Sequence, residues 1–378
     1  MNRKLMAVAV AGVFAAPAVA LAQSSNVQIY GKITYEYGYA DQGDGRPSTD
    51  IAQTPGGSAI GFRGEEKLGG GLTAWFQCES SADVRGIGQD GLCTRNSAIG
   101  FKGGWGNLHF GRWDSPLKRA INMGYAGVKD TGLLGYSFVF AGGSGGTNAI
   151  NKSNRNEWKR RDVGWTYYES PMFSGAQILA AFTPGNAATN VLDGQGNDKP
   201  RVMSLAGTWK HGPFGAGLGY EEHQNFGTLG TPDLKDKAWT ISGAYTFQNK
   251  IKFGLTYLDA DYEQQDGDIK KQNWALGVDW AIAGPHSVHF GYVNAGKSKG
   301  SSVTSISDIA ANAGLGGTGA DWYSIAYEYG FSKRTSARIG YVWLSNDENA
   351  SYALGGLHAP TSAGQDQSAI VLYLEHNF

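Results

Sequence analysis

The sequence predicts an all-β protein, a transmembrane antiparallel β-barrel of about 16 strands. Three features predict this class: segments that alternate apolar and polar residues along the chain, a composition rich in glycine and aromatics, and tight turns that alternate with long polar loops. The 378 residues include 57 Gly, 19 Tyr, 16 Phe and 11 Trp. This composition is typical of chains with many strands and turns rather than of ordinary globular enzymes.

The alternation is clearest in "NVQIYGKITYEYGYA". Its apolar residues from Val27 to Tyr39 share one face, and Gln28, Lys32 and Glu36 share the other. A period of two residues indicates a strand. The pattern recurs in "NWALGVDWAI", "DWYSIAYEYGF", "TSARIGYVWLS" and the closing "QDQSAIVLYLEHNF". Roughly 22 residues per strand and connection fit a strand that spans a membrane.

Two architectures give this alternation, a soluble sandwich or barrel with its apolar face inward and a membrane barrel with that face outward. The polar face carries many charges and glycines, which favours a wet interior and therefore the membrane barrel. Short turns at "TFQNKIKF" and "WKHGPFG" contrast with long loops at 41–57, 185–200 and 295–320. Aromatic residues near strand ends predict interfacial girdles; they are Tyr35 to Tyr39, Tyr167, Tyr168, Trp239, Tyr245 and Phe247.

The first 22 residues predict a secretory signal peptide. Arg3 and Lys4 precede an apolar stretch from Met6 to Val19, and Ala20-Leu21-Ala22 is a small-residue cleavage site. The alternative is a membrane anchor, but the apolar run is short for a spanning helix and contains Pro17. We therefore expect an exported chain, residues 23–378, without a helical membrane span.

Several motifs are weak signals for other functions. "GYVNAGKS" (Gly291–Ser298) matches the P-loop pattern, but it begins inside an alternating strand and no helix pattern follows. No G-x-S-x-G motif or paired nucleophile and base is present, so we expect no enzyme activity, no metal and no cofactor. The formal net charge of −1 argues against a nucleic-acid partner.

Cys78 and Cys93 are the two cysteines, at the ends of neighbouring predicted strands. In an oxidising compartment a disulfide that closes this loop is the simplest interpretation. A zinc site is the alternative, but it needs more ligands and no histidine lies close in sequence.

The segment from Trp113 to Trp158 separates two predicted strands and shows no clear alternation. Connections of this length are more often functional than idle. A mobile surface loop is the alternative, but the segment contains Leu133, Leu134 and "YSFVF", which are too apolar to remain in water. Folding into the barrel would bury this surface and narrow the lumen.

The chain resembles the trimeric general porins of Gram-negative bacteria, in particular the betaproteobacterial type. The resemblance extends over essentially the whole of residues 23–378 and is carried by "VQIYGKI", "IGFRGEEKLGGGLTAWFQ", "RNSAIGFKGGWGNLHFGRWDSP", "YYESPMFSGAQ" and "LEHNF". It implies a sixteen-stranded outer-membrane homotrimer, in contact with outer-membrane lipid and lipopolysaccharide, whose third extracellular loop folds inward as the constriction. It also implies that the assembly machinery of the outer membrane reads the terminal Phe378.

The resemblance implies that acids of the inward loop, 113–158, face a basic ladder on the wall. Ala59 and Tyr167 stand at places that are commonly basic in the family, so the pore is expected to be less positive than usual. The wall candidates are Lys32, Arg63, Arg95, Arg112 and Arg161, and the loop acids are Asp114, Asp130 and Glu157.

The expected function is passive diffusion of ions and small hydrophilic solutes through a water-filled lumen, with a mild preference for anions. A substrate-selective channel of the same fold is the first alternative, and an aromatic track or a specific site in the lumen would favour it. A barrel that serves mainly as an adhesin or receptor is the second, and absence of conductance would favour it.

Overall fold

The computed structural model describes residues 27–43, 45–86, 91–127, 132–142, 157–184, 201–225, 234–306, 316–357 and 359–378. The predicted signal peptide, residues 1–22, lies outside the described residues. Among the helices that the described residues form, none has the length and apolar character needed to cross a membrane.

The described chain folds into seventeen strand segments that form one antiparallel sheet. Residues that alternate in the sequence form these segments because period-two patterning gives each strand one apolar and one polar face. The strands are β1 (Gln28–Asp41), β2 (Thr49–Gln53), β3 (Ala59–Gly69), β4 (Leu72–Ser81), β5 (Ser97–Gly103), β6 (Gly106–Asp114), β7 (Arg161–Glu169), β8 (Ala176–Phe182), β9 (Arg201–His211), β10 (Phe214–Gln224), β11 (Lys235–Phe247), β12 (Ile251–Gln264), β13 (Gly267–Ala283), β14 (His286–Ala295), β15 (Ala320–Gly330), β16 (Thr335–Asn346) and β17 (Gln367–Asn377).

The sheet closes on itself through β1 and β17, whose register runs from Lys32 opposite Asn377 to Asp41 opposite Ser368. On its other side, β1 pairs with β3 through its first half and with the short β2 through its second half. Segments β2 and β3 thus form one interrupted strand of the barrel wall. The closed barrel of sixteen strands is confirmed, and its first and last strands pair with each other, as a lipid environment requires.

The two faces of the wall separate as the alternation predicts. On β17, Ile370, Leu372 and Leu374 are 57%, 55% and 49% exposed, whereas Val371 is fully buried. The exposed row of an isolated barrel is its lipid-facing side. The inner row of β17 continues with Tyr373 and faces the lumen.

Aromatic side chains form two girdles on the outer surface. At the loop end, the tilted rings of Tyr257 and Trp274 have centroids 4.4 Å apart, and Tyr323 lies between Tyr292 and Trp343. At the turn end, Phe214 contacts Tyr245 at 5.0 Å. One predicted member is wrong: Tyr167 is fully buried and faces inward, because its neighbour Tyr168 takes the outward position of β7. The remaining predicted members, Tyr35, Tyr37, Tyr39, Trp239, Tyr245 and Phe247, are exposed.

Connections differ between the two ends of the barrel. Short turns join β3 to β4, β5 to β6, β9 to β10, β11 to β12, β13 to β14 and β15 to β16, at the end where both β1 begins and β17 finishes. Most connections at the opposite end are long, and the turn at 265–266 is the exception. This asymmetry is the layout of outer-membrane barrels, with the long loops outside the cell.

Two short helices lie between β6 and β7. Helix α1 (Pro116–Met123) begins where the Ser115 hydroxyl accepts a hydrogen bond from the Lys118 backbone N–H at 3.2 Å, with Pro116 in its first turn. Helix α2 is Ser137–Ala141. Apolar residues of both helices form a core with inward side chains of the wall, so the main core of this barrel lies inside it. The described parts of the third loop therefore fold inward, as predicted.

Candidate pore and its constriction

The first half of the third loop lies directly on the inner wall of β10 to β13. A β-carbon at Gly217 would lie 2.5 Å from the Ala120 carbonyl oxygen, and one at Gly277 would lie 1.8 Å from that of Ala126. Glycine alone allows such a close approach of two backbones. We call Gly217, Gly219, Gly254 and Gly277, four inward residues of these strands, the glycine belt.

Hydrogen bonds hold this half of the loop to the same wall and to the adjacent β9. The Ser242 hydroxyl donates to the Ala120 carbonyl oxygen at 2.5 Å, and the Leu117 N–H donates to Ser204 Oγ at 3.1 Å. Farther along, the Gly127 N–H donates to Asp279 Oδ1 at 2.9 Å. The strands thus provide hydrogen-bond partners for backbone N–H and C=O groups near the ends of α1 that have no partner within the helix. The contact between loop and wall is therefore specific as well as close.

The second half of the loop extends to the opposite side of the lumen. The Leu133 N–H donates to Glu36 Oε1 of β1 at 2.7 Å, and the Leu133 side chain fills the space above Gly38. The loop then returns, because the Phe140 carbonyl oxygen accepts from Asn273 Nδ2 of β13 at 2.6 Å. The loop is thus attached to several sides of the barrel.

At the root of the loop, the predicted acid Asp114 and the predicted base Arg161 are brought together. The Asp114 carboxylate lies 3.0 Å from Arg161 Nε and 2.9 Å from Lys118 Nζ. Asn96 contacts both members of the Asp114–Arg161 pair. Burial lowers the pKa of Lys118, and the adjacent Asp114 carboxylate opposes that shift. This cluster carries two positive charges against one negative charge.

A second charged cluster lies on β1, β3 and β4. Glu79 accepts from Arg95 Nε at 2.7 Å and from the Tyr30 hydroxyl at 3.1 Å. The Arg63 guanidinium lies over the Tyr30 ring, 5.0 Å from its centroid, and Arg63 Nε donates to Gln28 Oε1 at 2.9 Å. These contacts place Arg63 and Arg95 on neighbouring parts of the inner wall.

The other predicted residues lie in different surroundings. Lys32 Nζ is 3.9 Å from Glu375. Arg112 is partly buried near Arg161 and Asp162, and its Nε and Nη2 atoms have no hydrogen-bond partner among the described residues. Glu157 is 1% exposed, beside Arg160 at the foot of the loop, so it does not face open water. Asp130 lies outside the described residues.

The geometry so far is that of a closed barrel with an inward loop and two charged clusters. The clusters lie on β1, β3 and β4 and on β6 and β7, outside the part of the inner wall that the first half of the loop covers; we call the wall that carries the clusters the uncovered wall. A family model described as "Gram-negative porin" matches residues 7–349. The chain belongs to the Gram-negative porin family. It forms a channel in the outer membrane for passive diffusion and is not an enzyme.

Relatives and solved structures agree with this family. The porin is 27% identical to the major outer membrane protein P.IB of Neisseria meningitidis serogroup A over 304 residues, 79% of this chain and 80% of the relative. Its counterpart in Neisseria gonorrhoeae is 26% identical over 369 residues, 93% and 95% of the two chains. The fold is similar to an anion-selective porin from Comamonas acidovorans, with TM-score 0.75 and 21% identity over 94% of this chain and all of that one. It is also similar to Salmonella typhi OmpF, with TM-score 0.64 and 16% identity over 93% and 98% of the two chains.

The porin has an aromatic group on its inner wall that the sequence analysis missed. Trp75, Trp113 and Tyr167 surround the buried His109, with ring centroids 4.7 to 5.3 Å from the imidazole. In "LTAWFQCES", Trp75 shares the parity of Gln77 and Glu79, so the alternation contained this signal.

The two cysteines of the porin lie on the rim above the second cluster. Cys78 on β4 forms a disulfide with Cys93, with Cα atoms 4.6 Å apart. The Cys93 N–H also donates to Ser80 Oγ at 2.9 Å. Cys78 and Cys93 flank the Glu79–Arg95 pair, because Glu79 follows Cys78 and Arg95 comes two residues after Cys93. Among the described residues, no group of three or more His, Cys, Asp or Glu is arranged to hold a metal ion.

Proposed function

We propose that this porin is a general diffusion channel with a mild preference for anions. The observation that carries the proposal is the state of Arg63, which is exposed and has no carboxylate within 4.0 Å among the described residues. Among the other wall cations, Lys32, Arg95 and Arg161 each lie within 4.0 Å of a carboxylate. The preference is therefore mild, because paired charges largely cancel in a wet lumen.

The proposal includes a role for each predicted wall residue. Lys32, Arg63, Arg95, Arg112 and Arg161 make the uncovered wall net positive, since Glu79, Asp114 and Glu375 neutralise only part of their charge. The inward loop, residues 113–158 by sequence and 115–160 by the strand ends, sets the size limit. Charges fixed on the wall create an electric field across the lumen, and this field orients polar solutes and disfavours apolar ones.

The test is the reversal potential of the channel in a planar bilayer under a potassium chloride gradient. We expect anion preference for the wild-type channel and a shift toward cations for the double variant Arg63→Gln/Arg95→Gln. Arg334→Gln is the matched control, because it removes a positive charge from an exposed short turn outside the lumen. Cation preference in the wild type, or equal shifts in the double variant and the control, would contradict the proposal.

The substrate-selective alternative is favoured by one observation, the inner aromatic group around His109. Liposome swelling with sugars of equal size distinguishes the two functions. A general porin admits solutes according to size, whereas a selective channel admits one class faster. No conductance at all would favour the adhesin or receptor alternative.

We also propose that the channel is a homotrimer, that residues 1–22 are removed, and that Phe378 is recognised by the outer-membrane assembly machinery. The Phe378 backbone exchanges hydrogen bonds with Gly31, which supports a role for this residue when the barrel closes. Contact with lipopolysaccharide is supported by the charges above the loop-end girdle, where Lys270 lies 2.8 Å from Asp268. Three equal conductance steps in a single-channel recording would test the trimer.

A further inference from the structure

We infer that the lumen contains a binding subsite for an aromatic monocarboxylate, formed by Arg63 and Trp75 on strands β3 and β4. The inference deepens the proposed function and rests on it, since the solute must first enter an open lumen. Arg63 supplies the anion contact and Trp75 supplies a flat apolar surface.

The subsite is a cavity at the short-turn end of the lumen. Its volume is about 570 Å³, within the range of small-molecule sites in proteins. Polar and apolar groups both line it, which suits a solute with one charged and one apolar end. The lining side chains include Gln28, Arg63, Glu65, Trp75, Gln77 and Lys102.

Arg63 is held in position without having its charge neutralised. Gln28 binds its Nε atom, and the Tyr30 ring supports the guanidinium plane. Its two terminal nitrogens make no hydrogen bond to any described residue. A guanidinium in this state offers the parallel N–H pair that binds a carboxylate through two hydrogen bonds.

Trp75 is fixed by the residues on its other side. Its indole Nε1 donates to Asn107 Oδ1 at 2.8 Å, and its ring meets those of His109 and Trp113 edge-on. A rigid indole loses little conformational freedom when a solute ring packs against it.

The spacing of the two residues matches a small aromatic acid. On adjacent strands, Arg63 is opposite Gln77, and Trp75 is opposite Glu65. Arg63 and Trp75 are therefore diagonal neighbours, about 7–8 Å apart at Cα. That distance leaves room for one solute to place its carboxylate against Arg63 and its six-membered ring against Trp75.

The charge balance of the cavity favours a single negative charge on the solute. Glu65 forms an ion pair with Lys102, so these two groups offset each other. Arg63 remains as the uncompensated charge among the described lining residues. A dicarboxylate would bring its second charge toward Glu65 or the apolar surface.

The test uses the intact channel in a planar bilayer, with chloride current as the readout and sodium benzoate as the probe. We expect benzoate to reduce the current reversibly and saturably, at a concentration about fivefold lower than sodium cyclohexanecarboxylate, because the flat ring gains an aromatic contact. Sodium acetate, which lacks the ring, should be the weakest of the three probes.

Two variants separate the two contacts. Arg63→Gln should weaken the benzoate block about tenfold, because a charge-assisted hydrogen bond is lost. Trp75→Leu should remove the difference between benzoate and cyclohexanecarboxylate while leaving the carboxylate contact. Lys210→Gln is the matched control: Lys210 is an exposed inward cation of β9 on another part of the wall, and its loss should leave the block unchanged.

The outcomes distinguish this inference from the proposed function. A channel that carries no chloride current contradicts the proposed function. A conducting channel that benzoate and acetate affect equally overturns only the subsite, as does a Trp75→Leu channel that still prefers benzoate. Arg63→Lys provides a further check that preserves charge, and we expect it to keep the anion preference but lose most of the benzoate block.

Discussion

The inner wall of this porin has two unlike regions, although both follow the same alternation. On β10 to β13 the inward positions include the glycine belt, and the third loop covers them. On β3 and β4 the inward positions carry Arg63, Glu79 and Trp75, and solvent reaches them. The comparison teaches that side-chain volume helps decide where the first half of the loop lies, because its backbone approaches the wall most closely at positions without a β-carbon.

The two regions also differ in what they contribute. The covered wall holds the loop through backbone hydrogen bonds and an apolar core, and such contacts resist salt. The uncovered wall holds ion pairs of unequal burial: Glu65–Lys102 is half-exposed and adds little stability, whereas Arg95–Glu79 and Arg161–Asp114 are largely buried. We therefore expect changes in the covered wall to affect stability and pore size, and changes in the uncovered wall to affect ion preference.

The largest effect is expected from Gly277→Ala in the covered wall. The new methyl group would lie 1.8 Å from the Ala126 carbonyl oxygen, so the loop backbone must move away from β13. We expect a loss of about 1–3 kcal/mol in stability, as for other overpacked sites, and a lower single-channel conductance because the displaced loop enters the lumen. Heat-modified gel mobility and bilayer recordings measure the two effects.

Gly207→Ala is the control for this change. Gly207 lies in β9, and a β-carbon there would meet no atom within 4 Å. Its stability and conductance should stay near those of the wild type. Equal conductance in the two variants would show that the glycine belt does not position the loop.

The barrel could be predicted because lipid imposes the pattern that the sequence displays. Alternation in β17 placed Ile370, Leu372 and Leu374 outside, and closure against β1 followed because an open edge cannot exist in lipid. The inward fold of the third loop followed from its apolar residues, which needed a surface to cover them.

The partners of the pore residues could not be predicted in the same way. Alternation assigns a residue to a face, but it does not say which loop residue meets it. Arg95 pairs with Glu79 because residues 93–96 fold back along β4, and Asp114 pairs with Arg161 across a bulge. Tyr167 shows this limit most directly. Tyr167 and Tyr168 were both predicted for the girdle, but adjacent residues of a strand point to opposite faces, and Tyr167 faces the lumen.

A smaller effect is expected from Asp114→Asn at the root of the loop, next to the uncovered wall. The substitution leaves Arg161 and Lys118 without the carboxylate they share. We expect a loss of about 2 kcal/mol, the usual value of a hydrogen bond to a charged group, and a reversal potential shifted toward anions. Denaturant titration and bilayer recordings measure these changes.

Glu65→Gln provides the comparison for Asp114→Asn. Its carboxylate also pairs with a cation in the lumen, but the Glu65 and Lys102 side chains are 55% and 45% exposed. Stability should therefore change by less than about 1 kcal/mol. A loss as large as that of Asp114→Asn would contradict the distinction between buried and exposed pairs on this wall.

The smallest effect is expected from opening the disulfide above the second charged cluster. Cys78 and Cys93 flank the Glu79–Arg95 pair, and a hydrogen bond between the Arg95 N–H and the Glu79 carbonyl oxygen, 2.8 Å long, links the same two segments. The variant Cys78→Ser/Cys93→Ser should let Arg95 leave the wall for part of the time, because the covalent link between the two segments is lost. Arg95 should stay on the wall for most of the time, because the ion pair and this hydrogen bond remain. The reversal potential should move toward cations by less than in Arg95→Gln.

A combined variant decides whether the disulfide acts through Arg95. In an Arg95→Gln background the cysteine substitutions should cause no further shift, since the charge that they release is already absent. A further shift of the same size would mean that the disulfide positions some other group. Treatment of the wild type with a reductant should reproduce the shift of the double serine variant, and an unaltered reversal potential in both would show that the non-covalent contacts alone fix Arg95 on the uncovered wall.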